Sequence, residues 1–169
     1  MTTFPSIYDP KRIGTLFYPD YAAIAQEARQ ANITAATTDK DKIHLVIIDM
    51  QVDFCHADGS LNVPGSVGDI QRLIEFIYTN AERITNITCS LDSHLPHQIF
   101  HPAWWADADG NHPAPFTMIT YDDIKSGTWR PLVAPVQSTN YVKQLEEQAK
   151  KTLTIWPYHV MIGSIGNAL

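Results

Sequence analysis

The sequence predicts an α/β fold, a three-layer α/β/α sandwich around a mainly parallel sheet. Three observations carry that expectation. A short run, "IHLVIIDM" over residues 43–50, is apolar almost without a break, as strands covered on both faces are, and "NITCSLD" from Asn86 reads as a second buried strand. An amphipathic stretch separates them, and a second one precedes a third short run, "TLTIW". Strand–helix–strand–helix–strand is the alternation from which right-handed crossovers assemble one layered sheet.

Taken in order, residues 1–41 read as an extension before the domain proper, which occupies residues 42–169. Within the extension, "PDYAAIAQEARQAN" from Pro19 spaces Tyr21, Ile24 and Ala28 for one face of a short helix, and "ITAATTDKDK" is a polar linker. After the first strand, "DGSLNVPGS" is a loop. "SVGDIQRLIEFIYTNAERI", from Ser66, gathers Ile70, Leu73, Ile74 and Ile77 on one helical face. The second strand reads as buried, with Cys89 as an inert core thiol. Residues 93–138 form a long insert with six prolines and three tryptophans. A loop of that length is usually functional, and its aromatic content predicts that it packs. "STNYVKQLEEQAKK" predicts a helix with Ser138 or Thr139 as its N-cap.

Composition narrows the function classes. The chain has 169 residues, 44% of them hydrophobic, enough to fill a core of one domain or of part of one. A net charge of −6 with no basic stripe excludes a nucleic-acid partner. No run approaches the ~20 apolar residues of a membrane span, and "MTTFPSIYDPKR" has no signal-peptide core, so the cytoplasm is the expected compartment. Two cysteines, Cys55 and Cys89, make no disulfide framework. The "NIT" triplets at Asn32 and Asn86 read as chance. The insert makes a homo-oligomer plausible.

Chemistry concentrates at the strand ends, where open α/β sheets bind their ligands. The three strands finish in "DMQVDF", "DSH" and "WPYH", so Asp49, Asp92, His94 and His159 are expected to meet. Asp92 and His94 are two apart, and the extended period of two points both side chains the same way. His159 adds a second imidazole, giving an N/N/O set that suits zinc, with iron or manganese as alternatives. His101 is a candidate fourth ligand and His97 a weaker one. The competing reading is that these are solvated loop histidines. For Asp49 two roles stay open: a brace for the loop after the strand, or a partly buried general base. Asp53 reads as structural.

"VIIDMQVDFCHADGSLNVPGS", "SLDSH" and "WPYH", in this order, resemble the nicotinamidase branch of the isochorismatase-like cysteine hydrolases. The resemblance runs from about Ile43 to Gly166, interrupted by the insert. It implies that family's hydrolase fold and the conversion of an amide, nicotinamide or an analogue, to a carboxylate and ammonia through a cysteine thioester. It further implies Asp49 as the catalytic base, Asp92, His94 and His159 as ligands of a divalent metal, and His101 near a variable fourth position. Phe54 and Trp156 match the aromatic residues that sandwich the substrate ring; core packing is the competing role for both. The family also uses a lysine and a cysteine that lie beyond Leu169. Cys89, Cys55 and the loop residue Lys125 are poor substitutes. The expectation is that a carboxyl half is missing or comes from a separate polypeptide, and that this chain alone is inactive. A non-catalytic metal-binding or assembly module and a metal-activated water hydrolase are the alternatives.

Overall fold

The computed structural model describes residues 4–169 and divides them into two compact units. The first comprises the described residues through Asp92 with Ala168–Leu169, and the second is Ser93–Asn167. The fold is mixed α/β, and the strands among the described residues form three two-stranded sheets, one of them parallel.

In the first unit, helix α1 covers Tyr21–Gln30 and is capped by Asp20, whose carboxylate accepts the Ala23 N–H at 3.0 Å. Strands β1 (His44–Ile47) and β2 (Asn86–Cys89) pair in parallel, with His44 opposite Asn86 and Ile47 opposite Cys89. The crossover a parallel pair requires contains α2 (Val52–Cys55) and α3 (Ser66–Thr79). Ile70, Leu73, Ile74 and Ile77 are half-buried along one side of α3, while Asp69, Arg72 and Phe76 are exposed, as the apolar spacing predicts. Ile70, Ile74 and Tyr78 of that face line a cleft of about 330 Å³ together with Ile7, Ile13 and Phe17 of the amino-terminal segment.

The strands differ from expectation in burial. Val46 and Ile48 are more than half exposed, all four residues of β2 are exposed, and Cys89 is an exposed thiol rather than a core one. An unbroken apolar run carries no information on how many faces are covered. Here the described chain sets two strands side by side, so Asn86 too is exposed.

The second unit is the packed insert. Strand β3 (Trp105–Ala106) pairs antiparallel with β5 (Arg130–Pro131), and β4 (Met118–Ile119) pairs antiparallel with β6 (Leu153–Thr154). The third predicted strand therefore joins an antiparallel pair within this unit rather than the β1–β2 sheet. Helix α4 (Tyr121–Ser126) begins in a capping box, in which Thr120 and Asp123 satisfy each other's backbone donors, and stops at Gly127 in the left-handed region. Lys125 thus lies on a helix, not in a loop, and pairs with Asp122 at 2.6 Å. Trp105, Ile119, Val142, Leu153 and Ile155 form one buried cluster, each side chain stabilising it by roughly 1.5–3 kcal/mol. The Trp105 indole donates to the Ile99 carbonyl at 2.6 Å, so burying the ring leaves no donor unsatisfied.

Helix α5 covers Pro135–Glu147, three residues earlier than its predicted cap. Pro135 supplies the first helical φ, and Ala134 precedes it in the left-handed region. Ser138 is consequently inside the helix and buried; its hydroxyl accepts the Trp104 indole N–H at 2.9 Å and donates to the Val133 carbonyl at 2.8 Å.

Candidate metal centre

Asp92 is the last residue before the unit boundary, and His94 follows two positions later. Gln51, fully buried, brackets the backbone of Asp92 from both sides: its carbonyl accepts the Asp92 N–H at 2.7 Å and its amide donates to the Asp92 carbonyl at 2.8 Å. His94 is fixed by a second backbone zip. Its N–H donates to Val160 and its carbonyl accepts from Ile162, forming a parallel bridge with Met161. That bridge brings the chain just after His159 alongside His94, and the two imidazole centroids are 4.8 Å apart.

One ligand atom from each of Asp92, His94 and His159 lies within 4.8 Å of the others, with His159 buried and the other two half-buried. The chemistry of the set fits a divalent cation. A carbonyl can only accept, so the 2.7 Å contact from His159 Nδ1 to the Pro157 carbonyl makes Nδ1 the protonated nitrogen and puts the ring's basic lone pair on Nε2. This is the outer-sphere bond that fixes the tautomer of ligating histidines.

His101 lies outside that trio, with its ring centroid 5.8 Å from His94 and 6.4 Å from His159. It is fully buried, its Nδ1 donates to the Pro96 carbonyl at 3.2 Å, and its Nε2 has no hydrogen-bond partner among the described residues. Burial holds the His101 imidazole below the ordinary histidine range, against the opposing pull of the Pro96 carbonyl. A neutral ring with a buried, unsatisfied acceptor costs on the order of 1–3 kcal/mol. A proton donor or a cation would remove that cost. His97 is exposed.

The remaining sequence candidates fall as follows. Asp49 is exposed rather than partly buried, and sits in the left-handed region at φ 57. Its N–H donates to the Ser90 hydroxyl at 3.2 Å, and that hydroxyl contacts Asp49 Oδ1 at 3.3 Å. Asp53 accepts the Ser60 N–H at 3.1 Å and so ties the loop after α2. Phe54 is half-buried on α2. Trp156 is 39% exposed, its ring centroid 6.3 Å from His159 and 5.9 Å from Phe116. Cys55 is buried, and burial together with the Asp69 charge pushes its thiol pKa up, the reverse of what a nucleophile needs.

Two residues of this region escaped sequence reasoning. Gln51 could have been found as the apolar-flanked glutamine of "DMQVDF", since a buried amide must be paired. Phe116 has no sequence signal. Comparison with protein-family models, with curated proteins and with solved structures finds no match.

Proposed function

We propose that this chain serves a nicotinamidase-like amide hydrolysis, in which a carboxamide becomes a carboxylate and ammonia. The observation that carries the reading is the donor set of Asp92, His94 and His159, one carboxylate and two imidazoles within 4.8 Å, at the positions the resemblance assigns to metal ligands. Zinc is the proposed cation, and iron or manganese would accept the same donors. When bound, the cation would hold and polarise a ring nitrogen of a pyridine carboxamide.

His101 is proposed as a fourth donor, supported by its orphaned Nε2. The exposed ring of Trp156 beside His159 supports its proposed role as a substrate contact. The roles of Phe54 as a second ring contact and Asp49 as base rest on the resemblance. The proposal also carries the family's three-layer α/β/α sheet, of which the parallel β1–β2 pair is the supporting piece. A cytoplasmic, homo-oligomeric protein completes it; no helix among the described residues is long and apolar enough to cross a membrane.

One observation favours a second reading. Cys55 is buried with a raised pKa, so this thiol is not proposed as the nucleophile. A non-catalytic metal-binding module, or a hydrolase in which water attacks, would show the same. The test combines zinc binding, measured by competition with a chromogenic chelator, and ammonia release from nicotinamide and other amides. Both are applied to the chain and to any longer polypeptide containing it. The expected result is stoichiometric zinc that is lost in His94→Ala and His159→Ala. Ammonia release abolished by chelation and by thiol alkylation supports the thioester route, whereas release abolished by chelation alone supports water. Zinc without ammonia from any amide leaves the module. Failure of the wild-type chain to retain zinc would sink the reading.

A further inference from the structure

Phe116 combines three features that packing does not explain. It is a bulky residue at φ 69, in the left-handed region that favours glycine and asparagine. Its ring is 58% exposed, so no core burial offsets that backbone. And it is held there by the main chain on both sides: its N–H donates to the Ile155 carbonyl, and the Ile155 N–H donates to the Thr117 carbonyl at 2.8 Å. Ile155 is fully buried in the core of this unit, so the two bonds key Phe116 to the residue immediately before Trp156. Residues kept in costly backbone conformations by their surroundings concentrate at functional sites.

The outcome is a corner made of two exposed aromatic rings. The Phe116 and Trp156 centroids are 5.9 Å apart with their planes at 80°, and the Trp156 centroid is 6.3 Å from that of His159. Perpendicular walls impose a simple geometry on an occupant. A flat ring laid against one wall turns its edge to the other, so it gains a stacked contact and an edge-to-face contact together. Both are arrangements aromatic quadrupoles favour. A saturated ring of the same size covers similar area and gains neither.

We infer that Phe116 is a specificity-determining residue of this chain, and that with Trp156 it selects flat aromatic rings beside His159. The inference deepens the amide reading above and rests on it for the carboxamide the ring carries. The fixed wall comes from the insert, which the resemblance to the hydrolases does not cover at this position.

The test compares binding of benzamide and cyclohexanecarboxamide to the intact, metal-free chain by calorimetry. Both are neutral amides without a ring nitrogen, so neither needs a cation. The wild-type chain is expected to prefer benzamide about tenfold, the sum of two aromatic pairs. Phe116→Leu, which keeps apolar bulk, and Phe116→Asn, which suits the left-handed backbone, are both expected to bring the ratio to about threefold, the share of the remaining pair with Trp156. Phe116→Asn is also expected to melt no lower than the wild type, a combination that a packing role does not produce. A wild-type ratio near unity, or an unchanged ratio in both variants, overturns the inference. The two proposals fail separately. A ring preference that depends on Phe116, without ammonia release from any amide, removes the hydrolase reading alone. Ammonia release with a ratio indifferent to Phe116 removes the corner alone.

Discussion

Gln51 shows how a residue with no chemistry of its own sets the geometry of one that has it. Its buried amide is matched donor to acceptor and acceptor to donor with the backbone of Asp92. Gln51→Leu keeps approximate volume but removes both side-chain bonds to the Asp92 backbone. Outer-sphere changes of this kind cost about 10–100-fold in metal affinity, and that is the loss expected here from competition with a chelator. Gln51→Leu binding zinc as tightly as the wild type would show that Asp92 needs no such brace, or is no ligand. The trio itself was legible in the sequence as a set of ligand types, but not for the reason of three strands ending at one sheet edge: the third strand lies in a separate antiparallel pair, and the His94–Met161 bridge brings His159 alongside. The Gln51 bracket was not, since it joins positions 41 apart and appears only once those strand ends are placed. The left-handed backbone at Phe116 was illegible for another reason. A sign of φ imposed by distant hydrogen bonds leaves no trace in residue type.

At the scale of elements, helices were more legible than strands. The 3.6-residue spacing of Ile70, Leu73, Ile74 and Ile77 names both the helix and its buried face, whereas the apolar runs named strands without saying what would cover them. The loop joining α2 to α3 makes its own demand. A Cβ on Gly59 would stand 2.3 Å from the Asp53 carbonyl oxygen and 2.8 Å from that of Val52, and backbone cannot yield as a side chain does. Gly59→Ala is therefore expected to cost about 2 kcal/mol or more in denaturant unfolding, and a cost below the noise would mean the loop is free to shift. The amino-terminal segment is anchored differently, by carboxylates. Glu27 accepts the N–H and hydroxyl of Ser6, each at 2.6 Å, and Glu75 accepts the Tyr8 hydroxyl at 2.6 Å. The Ser6 bonds lower the Glu27 pKa, and the Tyr8 bond, then that of Gln71, lowers that of Glu75. Depressed acids contribute above their unfolded pKa and lose that contribution as pH falls through the folded one. The Tyr8 pKa, raised first by the same bond to Glu75, has the opposite sign: its contribution is complete at neutral pH and is lost in strong alkali. The segment is thus expected to loosen on acidification below the ordinary glutamate range. Nuclear magnetic resonance signals of Ser6 and Tyr8 would report it, and Glu75→Gln should shift the Tyr8 response. A Tyr8 signal unmoved by acid would rule the anchor out.

Across the whole molecule, composition promised a core, and 44% hydrophobic content is ample for one. The chain does not distribute that core evenly. The second unit buries Trp105, Ile119, Val142, Leu153 and Ile155 in one cluster, with Trp105, Ile119, Val142 and Ile155 at zero exposure. Among the described residues of the first unit, the side chains reaching that class of burial are Gln51, Cys55 and Ser66, two of them polar. Opening free energy follows buried apolar contact and the shielding of backbone hydrogen bonds. Amide exchange should therefore separate the two units even though both contain regular secondary structure. The amides of Ile119, Val142 and Ile155 should exchange at or near the global unfolding rate. Those of β1 and β2 should exchange orders of magnitude faster, because both strands are solvent-exposed along much of their length. Equal protection in the two units would mean that some surface now exposed on β1 and β2 is covered in solution. Repeating the exchange at several protein concentrations then identifies the cover: protection that grows with concentration is a second copy docking on the apolar strands, as unpaired edges invite.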